Sequence, residues 1–320
     1  MRPLVFIVNR SSGGQQGGHL LAELRSRLDP ARVHELATCR LDDLITDCAR
    51  RGAAAVACGG DGTVAAVLEA SAAGGGGVPV GVLPLGTGND QARTLGWAAL
   101  DHGGLDHRLV QLAQAGVGRL DRWRLVMPDG ARTWFNYVSL GFDARVARRF
   151  HALRHHHPFL FRSSAINKVL YGCVALADRS VPLAGGAALA DAALPRWTGT
   201  VVFANIPSYA GGTRLGPGIR ADDGRCDGFA LPAGAMAGLA LSGIRQAHRL
   251  GSRARFAFHL RQALTMQIDG EPWLAQPGPY RIEPAGTVST LVGPSAPSAP
   301  SAGGRAADSG SGSAGNVAGA

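Results

Sequence analysis

The chain has 320 residues, is 46% hydrophobic and 17% charged, and carries a formal net charge of +9; this composition is that of a globular protein with an anionic partner. Nearly all the positive charge is arginine. Lys168 is the only lysine and follows no glycine-rich loop, which excludes both a Walker phosphate loop and a protein-kinase strand lysine.

Residues 4–8 form a short, wholly apolar run, as expected of a strand buried on both faces. It enters the polar loop Asn9-Arg10-Ser11-Ser12-Gly13, after which residues 20–28 show helical spacing. A second strand at 53–58 enters Gly59-Gly60-Asp61-Gly62-Thr63, followed by helix-period apolar residues to 70. A third at 78–83 enters Pro84-Leu85-Gly86-Thr87-Gly88-Asn89-Asp90, again before a helix. Three strand–loop–helix units predict a parallel α/β sheet whose loops lie beyond the carboxyl ends of the strands, where such sheets bind ligands.

After Asp121 the pattern changes. Residues 123–126, 132–140, 200–204, 256–260 and 264–268 read as short strands, and 142–177 as mainly helical. The expected organisation is an α/β first domain (residues 1–122), a β-rich second domain with a helical insertion (123–293), and a disordered tail (294–320). That tail of Pro, Ser, Ala and Gly cannot offset the entropy of ordering it. The five cysteines (Cys39, Cys48, Cys58, Cys173, Cys226) are odd in number and never at CxxC spacing, which fits reduced thiols in a cytoplasmic protein. Residues 4–8 are too short for a signal-peptide core, and no run reaches the roughly 18 apolar residues of a spanning helix.

The second loop carries the most chemistry. Gly59, Gly60 and Gly62 let backbone amides approach phosphate oxygens, and Thr63 adds a hydroxyl. Asp61 is an anion where phosphate should sit, which makes sense if Mg²⁺ lies between them. The third loop repeats the design, with Gly86, Thr87, Gly88 and Asn89 as polar contacts and Asp90 as a second acid. The plainer alternative is two tight turns with capping side chains.

These motifs resemble the diacylglycerol kinase family, related to sphingosine kinases and NAD kinases. Cys58-Gly59-Gly60-Asp61-Gly62-Thr63-Val64 is similar to its ATP-binding signature, and residues 82–97 to its second catalytic block. Further matches are Leu120-Asp121-Arg122-Trp123, Gly141-Phe142-Asp143-Ala144, residues 205–212, Asp222-Asp223-Gly224 and residues 266–273. The resemblance implies an ATP-dependent kinase that phosphorylates 1,2-diacylglycerol to phosphatidic acid, with Mg²⁺. It places Asn9, Arg10, Ser11, Ser12, Gly13, Thr38, Gly60 to Thr63 and Thr87 at ATP. It implies that Asp61, Asp90 and Asp121 organise Mg²⁺, and that Asp223 with the carbonyls of Arg220 and Arg225 holds a structural metal. Asp269 and Glu271 match the acidic cleft motif, one of them the base toward the lipid hydroxyl; Asp269-Gly270-Glu271 also reads as an ordinary hairpin turn. The chain departs from the family's pattern at Arg10, Gln91 and Ala65-Ala66; Gln91 stands where an apolar residue is usual.

His155-His156-His157, one turn after His151, precede Pro158, which breaks the helix and argues against a metal site. Arginines 145, 148, 149, 154 and 162 with Lys168, interleaved with Phe150 and Phe159, suit either an anionic membrane surface or a solvated helix face. The reading is thus a cytoplasmic enzyme, peripheral at the membrane, with a lipid partner and no nucleic acid. A homodimer is compatible with it. Rival readings are a kinase for a sphingoid base or ceramide, an NAD kinase, and a catalytically silent scaffold.

Overall fold

A computed structural model of the chain describes residues 1–85, 88–97, 104–156, 173, 183, 185–232 and 247–296. Gly86 and Thr87, almost all of the segment 157–182 and the tail beyond residue 296 lie outside the described residues.

The first part alternates as expected: β1 (Leu4–Val8), α1 (Gln16–Arg27), β2 (Val33–Glu35), α2 (Leu41–Arg51), β3 (Ala54–Gly59), α3 (Asp61–Ala73), β4 (Val80–Pro84), α4 (Asp90–Thr94) and α5 (Gly104–Gln114). Every residue of β1, β3 and β4 is buried, and these strands pair in parallel in the order β2-β1-β3-β4. Parallel strands covered on both faces leave no solvent side, hence their unbroken apolar runs. Leu21 and Leu24 of α1, Ile45 and Cys48 of α2, and Val64, Val67 and Leu68 of α3 join the strands in one core. Neither β2 nor α2 stands out in the sequence pattern; α2 buries only Ile45 and Cys48 among charged residues.

Next come β5 (Gly116–Met127), β6 (Gly130–Trp134), β7 (Tyr137–Gly141), α6 (Phe142–His156), β8 (Ala187–Leu189), β9 (Thr198–Ala204), β10 (Ser208–Tyr209), β11 (Thr213–Arg214) and β12 (Cys226–Pro232). The chain closes with β13 (His248–Arg253), β14 (Phe256–Leu260), β15 (Leu264–Ile268), β16 (Glu271–Ala275) and β17 (Gly278–Val292). A second sheet runs β13-β12-β9-β7-β15-β16, antiparallel throughout.

Three findings differ from the sequence reading. Residues 132–140 make two strands in different sheets, broken where the amides of Phe135 and Asn136 turn to a side chain described below. β5 begins at Gly116, so it runs through residues 121–123 without a break. The unforeseen β17 carries Pro279 and Pro284, which mask a strand pattern. It pairs antiparallel with β5 and β14, and parallel with β4 at Thr290↔Val80. The last described strand therefore completes the sheet that the first strand began, and ties the glycine-rich loops to the β-rich half.

Candidate active site

The three loops meet at the carboxyl ends of β1, β3 and β4. Asn9 donates from Nδ2 to Thr63 Oγ1 at 3.0 Å and accepts from the amide of Ser11 at 3.1 Å. A Cβ on Gly59 would overlap the Thr63 side chain, so only glycine lets β3 turn directly into α3. A Cβ on Gly13 (φ +64°) would strike the carbonyl of Leu85, which sets the first loop against the third. Arg10, Ser11, Gly13 and Gly62 stay exposed at this rim, with Ser12 and Gly60 half-buried. Thr38 is also exposed; its hydroxyl turns to the carbonyl of Glu35 at 3.3 Å.

The acids act as struts between elements. Asp61 accepts the amides of Asp90 (3.2 Å) and Gln91 (3.0 Å), so the second loop holds the first turn of α4; just before it, Asn89 takes a left-handed φ of +50°. Burial, and then the charge of Asp90, raise the Asp61 pKa. Asp90 in turn accepts Ser208 Oγ at 2.6 Å and the amide of Gly211 at 3.0 Å, and pairs with Arg93 at 3.2 Å. Arg93 also donates to the carbonyl of Gly88.

Asp121, on β5, donates its amide to Ala221 O at 2.7 Å and accepts the amide of Gly224 at 2.6 Å. It thereby docks the loop that contains Arg220, Asp223 and Arg225. Burial is the largest cause of its raised pKa, with Asp223 and Asp222 adding to it. Within that loop Asp223 accepts the amide of Arg225 at 3.0 Å, and the Arg220 guanidinium pairs with Asp222.

Asp269 and Glu271 have different fates. The Asp269-Gly270 pair has positive φ at both residues (+47° and +94°) and joins β15 to β16 with Ile268 opposite Glu271, the geometry of a two-residue hairpin turn. The turn tucks the Asp269 carboxylate inward, where it accepts the amides of Phe135, Asn136 and Tyr137, each at 2.9 Å. Burial outweighs these donors and pushes its pKa up to about 6, and the charge of Asp61 adds to the rise. Glu271 leaves 77% of its side chain exposed, with His151 Nδ1 3.8 Å away.

Residues 3–121 match the diacylglycerol kinase catalytic domain and residues 133–272 the diacylglycerol kinase accessory domain. The chain belongs to the diacylglycerol kinase family. It is 33% identical over 334 residues to diacylglycerol kinase 2 of Arabidopsis thaliana, covering 91% of this chain and 46% of that protein. It is 32% identical over 331 residues to diacylglycerol kinase iota of Homo sapiens, covering 88% of this chain and 30% of that protein. The chain thus spans less than half the length of these curated relatives. In fold it is similar to crystal structures of a diacylglycerol kinase from Bacillus anthracis strain Sterne. Two of them have TM-scores of 0.59 and 0.53 at 16% identity, covering 92% of this chain and 98% and 97% of those chains.

Both family matches stop short of β17, although that strand completes the first sheet. Asp143, Ser208, Tyr209 and Gln267 lie within the stretches that resemble the family, but sequence alone gives them no role. Asp143 is fully buried and accepts Ser139 Oγ at 2.6 Å, Gln267 Nε2 at 2.8 Å and the Tyr209 hydroxyl. The available signal was Asp143 within an otherwise apolar stretch, where a buried acid requires donors. Among the described residues no helix is long and apolar enough to cross a membrane, and no three His, Cys, Asp or Glu side chains converge on one point.

Proposed function

We propose that the chain transfers the γ-phosphoryl group of ATP to the free hydroxyl of diacylglycerol. The observation that carries this reading is the tie between the glycine-rich loops and the β-rich part of the chain: Asp61 accepts the amides of Asp90 and Gln91, and Asp90 accepts Ser208 Oγ and the amide of Gly211. In this reading residues 1–122 are the ATP side and 123–293 the lipid side.

Asn9, the exposed loop at 10–13 and the amides around Gly60 and Gly62 line the rim that takes the triphosphate, with Gly86 to Asn89 and Thr38 proposed as further contacts. Loop amides replace the lysine that other kinases use. Asp61 and Asp90 suit Mg²⁺, which commonly takes one or two carboxylates and completes its shell with phosphate oxygens and water. Burial, and then the charge of Asp90, raise the Asp61 pKa, and a cation beside Asp61 would offset both. When bound, Mg²⁺ neutralises charge on the phosphoryl oxygens. Asp121 orients the loop beside it, and Asp223 with the carbonyls of Arg220 and Arg225 is the proposed holder of a structural cation.

Glu271 is the proposed base. Its exposed carboxylate is free to accept the proton of the lipid hydroxyl as the phosphoryl group moves, whereas both oxygens of Asp269 are held by main chain. Contact with the lipid surface is proposed through the arginines of α6, where Arg148 and Arg149 are exposed.

Purified protein with labelled ATP decides the matter against a panel of diacylglycerol, a sphingoid base, ceramide and NAD. Phosphatidic acid as the dominant product is expected. Label transferred chiefly to another acceptor, or to none, overturns the proposal.

A further inference from the structure

We infer that Ser208 and Tyr209 are positioning residues that hold the phosphate-side and acceptor-side acids in one register. The inference rests on the functional reading above and adds a role for the two-residue strand β10.

Successive side chains of a strand point to opposite sides. Ser208 uses one side: its Oγ donates to Asp90 Oδ1 at 2.6 Å, and the amide of Gly211 in the same hairpin donates to Asp90 Oδ2 at 3.0 Å. Asp90 and Gln91 then hold Asp61 through their amides. Tyr209 uses the other side: its hydroxyl donates to Asp143 Oδ2. That oxygen also takes Gln267 Nε2 at 2.8 Å, and Gln267 lies on β15 just before Ile268 and Asp269. A single hairpin therefore reaches the second and third loops through one residue, and the acidic turn through the next.

Ser208, Tyr209, Asp143 and Gln267 are all buried, from 0 to 6% exposed. Burying an acid is costly unless its donors are complete, so this network resists partial rearrangement. Shifting β10 would move both acid-bearing segments together. Phosphoryl transfer depends on such alignment, since a displacement of about 1 Å can cost ~100-fold in rate. A simple core role would stabilise the fold without linking these two segments.

The test compares Ser208→Ala, Ser208→Thr and Tyr209→Phe with Leu231→Ala, a control in the core that also buries Tyr209. Hydrogen exchange is read at residues 90–91 and 135–137, and kcat and KM for ATP are measured separately. Ser208→Ala should speed exchange in both segments and lower kcat about 10–100-fold, with KM for ATP changed less than about 3-fold. Ser208→Thr, which keeps the hydroxyl, should restore both readouts. Tyr209→Phe should act as Ser208→Ala does, while Leu231→Ala should lower the melting temperature without the paired exchange effect. Unchanged exchange at 135–137 in Ser208→Ala, or wild-type kcat, overturns the inference. If Tyr209→Phe does not fold, the Ser208 pair decides. Wild-type protein that does not phosphorylate diacylglycerol overturns the functional reading instead, and the exchange measurement still decides the linkage.

Discussion

Asp269 accepts the amide hydrogen of Phe135 at 2.9 Å across 134 residues of chain. The same carboxylate takes the next two amides, so the acidic turn fixes the point where β6 leaves one sheet and β7 enters the other. An acid in a short sequence motif thus does structural work on a distant segment.

The two acids of this turn should separate on mutation. Glu271→Gln removes an exposed carboxylate, so kcat should fall by about 10²–10⁴-fold while the melting temperature stays near wild type. Asp269→Asn should lose activity and stability together, because an amide nitrogen would confront backbone donors. Activity assays beside thermal melts check this; a fully active Glu271→Gln would rule it out as the base.

The pH dependence of stability has a defined sign. Burial pushes Asp269 up to about 6, above the value of about 4 in an unfolded chain. Protonation therefore favours the folded state: the contribution is complete below about pH 4 and is lost as pH rises through about 6. Asp269→Asn has no such titration. Denaturant midpoints across that range should show the wild-type stability minus the variant's falling as pH rises. A flat or rising difference would contradict the assignment.

Gln91 is 1% exposed, and among the described residues neither its amide oxygen nor its nitrogen has a partner. An unsatisfied buried amide costs roughly 1–3 kcal/mol. Gln91→Leu keeps the approximate volume and removes that cost, so stability should rise by about 1–2 kcal/mol in chemical denaturation. A loss of stability would mean that the amide is satisfied in solution.

Gly59→Ala places a methyl group against the Thr63 side chain, which Asn9 holds from the first loop. Overpacking of this kind costs about 1–3 kcal/mol. The shift of Thr63 should raise KM for ATP more than KM for the lipid. Equal changes in both would indicate general destabilisation rather than a local effect on the nucleotide loop.

Local sequence determined the parallel α/β start, the three loops and the residue types they present, because buried parallel strands and glycine-rich turns follow from short-range sterics and hydrophobicity. The hairpin reading of Asp269-Gly270 was also local, since two residues of positive φ suffice to make that turn. Sequence could not say which acid of the pair turns inward: burial of Asp269 depends on amides supplied by residues 135–137. Nor could it reveal β17, whose prolines break the pattern and whose partners begin at residue 80. The strut acids, the Asp143 network and the closure of the first sheet by the last described strand are long-range hydrogen-bond relationships. Only tertiary structure decides these, because the donors that join separate elements, such as Ser208 to Asp90 and Gly224 to Asp121, lie on segments remote in the chain from their acceptors.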